Sequence, residues 1–171
     1  MIQLEKVLKS VPQYRGAFVG GEWRKPVRAS GRIEMISPAN IDWVLPPVEF
    51  SFDHVDAALE AAREAYVVWK AVSLKDRMDA IVRFGNELAK RSDTMARMMS
   101  VETGKIFEEA LGEVNLLQNK IRVSIEDGLE LIKKTQLEIP GQGRSEIHWL
   151  SKGIFVVIGP FNFPVHLSHG H

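Results

Sequence analysis

Five consecutive apolar residues, Ile154 to Ile158, stand between Gly153 and the pair Gly159-Pro160 with no polar residue among them. Half-exposed strands alternate apolar and polar side chains. An unbroken run of this length therefore reads as a strand buried on both faces, the kind found in parallel sheets under helices. Gly159 and Pro160 end the run. Phe161, Asn162, Phe163 and Pro164 follow: a lone amide between two aromatics, then a proline able to start a helix. Open α/β sheets place their chemistry at the carboxyl ends of buried parallel strands, which marks Asn162 as the first site candidate. Its plainer reading is an Asx-turn or helix cap before Pro164. The fold class that this stretch demands is α/β.

A buried strand needs helices to cover it, and the preceding residues supply their pattern. Before them, Ala17 to Val19 and Glu22 to Arg24 flank Gly20-Gly21, which suits a tight hairpin turn. Arg32 to Ile36 alternates as a half-exposed strand, and Pro38, Pro46 and Pro47 punctuate an irregular connection. From Ser51 the period becomes helical. Val55, Leu59, Ala62, Tyr66 and Trp69 recur at steps of three and four, with Ser51 or Asp53 as cap. Ser73 and Asp76 approximate a capping box for a second helix through Met78, Ile81, Phe84 and Leu88, predicted to pack antiparallel on the first. A third helix runs from Asp93 to a left-handed glycine cap at Gly104. The fourth and longest is predicted over Ile106 to Lys134, with Ala110, Val114, Leu117 and Ile121 on its apolar face. Gln136 to Pro140 and Ser145 to Leu150 then read as a hairpin that leaves the domain and returns to the final strand. The whole of residues 1–171 reads as a single partial domain, with 135–150 as its outlying hairpin.

Charge and cysteine content remove several function classes. Lys+Arg and Asp+Glu number 22 each, so no net charge favours nucleic acid or an anionic membrane. The first 16 residues lack an apolar signal segment, no run reaches membrane-spanning length, and the expected address is the cytoplasm. There are no cysteines, which excludes disulfides, thiolate metal sites and a cysteine nucleophile within this chain. His166, His169 and His171 have a spacing at which imidazoles can share an ion, but no carboxylate accompanies them, and the expectation is no metal site. Lys120 or Arg122 could offer a cation to an acidic substrate, with a solvated helix face as the simpler account.

Glu102-Thr103-Gly104-Lys105, the order of four helices, and the loop from Gly159 through Asn162 to Pro164 resemble the aldehyde dehydrogenase superfamily over Phe18 to His171. Pro38-Ala39-Asn40 fits as well, although Ile41 to Trp43 replaces the family's usual glycine turn. Asn119 to Ile121, the Gly159-Pro160-Phe161 form of the loop, and Val165 to Leu167 look like the group that oxidises N-succinylglutamate 5-semialdehyde in arginine catabolism. Ser168-His169 departs from that group's usual Pro-Asn. The resemblance implies the N-terminal portion of such an enzyme, ending in the first strand of a Rossmann-type sheet. It gives Asn162 the role of oxyanion donor. It places Ile158, Gly159, Pro160 and Phe161 at the nicotinamide of NAD or NADP, and Phe163 at the mouth of the substrate tunnel. It assigns the 135–150 hairpin to assembly, with a homo-oligomer or a full-length relative as partner. The cysteine, the glutamate that activates water and the phosphate-binding helix would lie beyond His171. This chain alone is therefore expected to bind no dinucleotide and to be inactive, or to act structurally.

Overall fold

The computed structural model describes residues 4–10, 14–133 and 135–170. In chain order the elements are α1 (Leu4–Ser10), β1 (Ala17–Val19), β2 (Glu22–Arg24), β3 (Gly31–Ile36), β4 (Val44–Phe50), α2 (Asp53–Trp69), α3 (Leu74–Ala89), α4 (Ser92–Thr103), α5 (Phe107–Val123), β5 (Thr135–Ile139) and β6 (Gly143–Ile147). A π-helical turn (Ser124–Gly128) extends α5, and a 3-10 turn (Ser168–Gly170) lies near the carboxyl end. The α/β class holds. Among the described residues, however, every strand pairing is an antiparallel hairpin: β1 with β2, β3 with β4, β5 with β6.

The core sits where α4 crosses α5. Ala96, Met99, Ala110 and Val114 are buried together, and Met95, Phe107, Leu111 and Val165 close over them. Val7, Leu45 and Val101 make a second cluster with Leu4, Met35, Trp43 and Met98. In this way α1, a helix not foreseen in the sequence, ties the β3–β4 hairpin to α4. Of the prolines expected in an irregular connection, Pro38 lies in the turn after β3, but Pro46 and Pro47 lie inside β4. Met35 faces Leu45 and Ile33 faces Val48, so Pro46 and Pro47 fall at a shift in register, where a missing N–H breaks no ladder bond.

Local signals are followed closely. Gly20 and Gly21 both take positive φ in the β1–β2 turn. The Ser73 hydroxyl accepts the Asp76 N–H at 3.1 Å to cap α3. At α2 neither expected cap is used: Phe52 takes the cap position without a side-chain bond, and the Ser51 hydroxyl before it accepts the Asp53 N–H at 3.3 Å.

Three expectations are corrected. First, α2 and α3 do not form the antiparallel pair; α2 lies against β1 and α3 against α5. Neither contains a fully buried residue. The apolar side of α5 is wide enough to face two helices, and it takes up α3. Second, the fourth helix is not continuous over Ile106 to Lys134. It changes to the wider π turn over Ser124–Gly128, resumes for Leu129 and Glu130 and ends there, while Lys134 falls outside the described residues. Third, Ile154 to Ile158 is neither paired as a strand nor buried: Val156 is 75% exposed and Ile158 90%. Apolar character favours burial, but a strand exists only beside another strand, and none of the described residues runs alongside it.

Candidate functional site

The site begins at the junction of α4 and α5. Gly104 caps α4 with φ of 75°, and a Cβ there would stand 3.1 Å from the Cβ of Pro38. Left-handed backbone and close approach together demand glycine. The Thr103 hydroxyl donates to the Met99 carbonyl at 2.7 Å and accepts the Lys105 N–H at 3.3 Å, satisfying the motif's own polar groups. The chain reverses here, and Lys105 reaches across to Glu113 on α5, Nζ to Oε2 at 2.6 Å.

Glu113 is 2% exposed and lies among Ala110, Val114 and Leu117 on the buried side of α5. Its second oxygen, Oε1, accepts the backbone N–H groups of Val165 and His166, both at 3.1 Å. Lys105 Nζ also donates to the Asn162 carbonyl at 2.9 Å and stands 4.2 Å from the Phe163 ring centre. Burial pushes the Glu113 carboxyl up. The Lys105 hydrogen bond, the two backbone N–H donors and the Lys105 charge outweigh it and hold the group below its ordinary value. One ion pair thus grips the Asn162 loop at Asn162, Phe163, Val165 and His166, while the Val165 side chain anchors it in the core.

Asn162 is exposed, and among the described residues its side-chain amide has no hydrogen-bond partner. The Asx-turn alternative is not adopted: Pro164, two residues on, carries no N–H, and the Val165 N–H that a helix cap would take is held by Glu113. Residues 155–160 line an open groove of about 640 Å³ with Lys120, Leu167 and Ser168. The groove contains Ile158, Gly159 and Pro160; Phe161 lies outside its lining and is 88% exposed. Phe163 packs under Lys105 at the other side of the loop. Arg122 is committed to Glu126 at 2.9 Å on a solvated helix face.

His169 packs 5.5 Å from the Phe84 ring. Burial, with Lys120 and His166 nearby, keeps its imidazole below the usual histidine range. Among the described residues no cluster of three or more potential metal ligands occurs, and His171 lies outside them.

Lys105 and Glu113 were not foreseen as site residues. The available signal was Glu113 itself, a carboxylate on an otherwise apolar helix face three residues after Ala110 and four before Leu117. Buried carboxylates occur almost only with partners, which makes such a position worth a question.

The model of the aldehyde dehydrogenase family matches residues 23–171. The chain belongs to this family. It is 37% identical over 117 residues to N-succinylglutamate 5-semialdehyde dehydrogenase from Novosphingobium aromaticivorans, covering 68% of this chain and 25% of that protein. The enzyme of the same name from a Caulobacter species is 31% identical over 156 residues, 91% of this chain and 32% of the relative. The chain therefore spans about a quarter to a third of the length of the curated relatives it matches. Among solved structures, the NADP-dependent glyceraldehyde-3-phosphate dehydrogenase from Bacillus halodurans, complexed with NADP, superposes with a TM-score of 0.77. It is 25% identical, and the match covers 88% of this chain and 33% of that one. The NAD-dependent benzaldehyde dehydrogenase from Corynebacterium glutamicum shares the fold with a TM-score of 0.79 at 24% identity, over 94% and 35% of the two chains. The fold described above is thus a part of the aldehyde dehydrogenase fold.

Proposed function

We propose that this chain is the N-terminal portion of an NAD(P)-dependent aldehyde dehydrogenase acting on N-succinylglutamate 5-semialdehyde in arginine catabolism. The observation that carries the reading is the exposed amide of Asn162, unpaired among the described residues, on a loop gripped from below. A neutral donor held in advance, with no other partner to leave, is suited to an oxyanion developing on an aldehyde carbon. The Asn162 NH₂ binds that oxygen, while Phe163 bounds the substrate's path on the Lys105 side. NAD or NADP, when bound, supplies the hydride acceptor. The fit of residues 158–161 to it is partial. Ile158, Gly159 and Pro160 give the groove an apolar wall for a flat ring, and none of the four carries a cation or hydroxyl for a pyrophosphate. Their part is to seat the ring end and exclude water there. The address consistent with this role is the cytoplasm; among the described residues no helix is long and apolar enough to cross a membrane.

A chimera tests the reading: residues 23–171 replace the matching portion of the Novosphingobium enzyme, and NADH formation from N-succinylglutamate 5-semialdehyde is followed. Turnover is expected, with Asn162→Ala lowering kcat about 10²- to 10³-fold. A folded chimera that is inactive, or indifferent to Asn162→Ala, overturns it.

The absence of cysteine favours a second reading for the 171-residue polypeptide by itself: a non-catalytic chain that assembles with itself or with a full-length relative. The β5–β6 hairpin is exposed along its whole length, and Ile154 to Ile158 lies uncovered beyond it. Size exclusion with light scattering is expected to show a dimer or larger species that Val156→Lys disperses. A folded 19.3 kDa species at every dilution, or NADH formation by the purified chain that Asn162→Ala abolishes, overturns this reading.

A further inference from the structure

We propose that Lys105 and Glu113 are the positioning residues of the Asn162 loop, holding it through its backbone so that the Asn162 side chain stays free to act. The inference rests on Asn162 as the oxyanion donor and adds what keeps that donor available. An Asn three residues before an exposed N–H ordinarily folds back on it, its side-chain oxygen accepting that N–H, and the direction of its NH₂ is then set by its own turn. Here the N–H groups of Val165 and His166 are taken by Glu113 Oε1 at 3.1 Å each. The pull of Lys105 on the Asn162 carbonyl at 2.9 Å sets the other end of the loop. Both side chains come from the α4–α5 junction, the most buried part of the molecule, so the loop takes its position from the core. Without the carboxylate, the Asn162 side-chain oxygen becomes the next acceptor available to Val165, and the loop closes on itself.

The test is amide exchange and side-chain amide resonances of the ¹⁵N-labelled 171-residue chain. In Glu113→Ala, the His166 amide is expected to exchange at least about tenfold faster, the effect of losing a bond to a charged acceptor, and Val165, taken over by the neutral Asn162 oxygen, to speed up by less. The Asn162 NH₂ resonances shift, and the His166 amide loses more protection than Ala96 and Val114, whose faster exchange reports only the global loss of stability. Lys105→Met is expected to move the Asn162 signals while leaving Val165 protected, and Lys105→Arg to restore them. A merely structural pair would raise exchange at His166 by no more than in the helices and leave the Asn162 NH₂ signals unmoved relative to their neighbours. If Glu113→Ala does not fold, Glu113→Gln is read in its place, since a neutral amide loses Lys105 and weakens both N–H contacts. Wild-type exchange at Val165 and His166 together with unmoved Asn162 signals in a folded Glu113 variant overturns the proposal. An inactive chimera with these loop signals intact sinks the dehydrogenase reading and leaves the clamp standing.

Discussion

Val114, Leu117 and Ile121 on α5 match Val156, Val157 and Ile158 in apolar character, yet the first three are at most 7% exposed and the others 75%, 43% and 90%. A helix satisfies its own backbone, so α5 needs only a neighbour's side chains to bury its stripe, and α4 and α3 provide them. An extended segment must find both side-chain cover and backbone partners. The difference teaches that an apolar run states what a segment requires, whereas its neighbours decide whether the requirement is met. Glu113 shows the converse: a charged residue is buried where the helix pair supplies a cation and two N–H donors.

The contrast is broken most directly at Glu113. Replacement by alanine leaves the Lys105 ammonium, 15% exposed, beside two unpaired N–H groups, and is expected to cost about 3–5 kcal/mol in urea unfolding. The pH dependence follows with a fixed sign. Because the folded carboxyl titrates below its ordinary value, its contribution is full above that value and is lost as pH falls through the lowered one. Unfolding free energy measured across the acid range should therefore fall less steeply in Glu113→Gln than in the natural chain.

Cutting into the apolar side of the same helix comes next. Leu117→Ala, at 2% exposure, is expected to cost about 2–5 kcal/mol by loss of burial and a residual cavity. A smaller effect belongs to a local signal. Ser73→Ala removes the oxygen that caps α3 at Asp76 and should lower stability by about 1 kcal/mol, read from the thermal midpoint. The smallest sharpens the comparison: Val156→Ala, in the exposed run, should stay within about 0.5 kcal/mol in dilute, unassembled chain. A cost at Val156 equal to that at Leu117 would show that the 154–158 segment is covered in solution.

What the sequence determined by itself was local or motif-borne. The Gly20-Gly21 turn, the Ser73 cap, the left-handed Gly104 and the α4 and α5 stripes each depend on a few neighbouring residues, and each stands where the pattern put it. The motifs from Glu102 to Lys105 and from Gly159 to Pro164 carried the family. Tertiary structure decided what depends on distant partners. It placed α3 on α5 instead of α2, seated α1 on α4, and left Ile154 to Ile158 without a strand beside it. It also joined Lys105, Glu113 and the Asn162 loop, separated by 57 residues between Lys105 and Asn162. No period or spacing encodes such a meeting. It arises because a buried carboxylate must find donors, and the folded core brought Lys105, Val165 and His166 within reach.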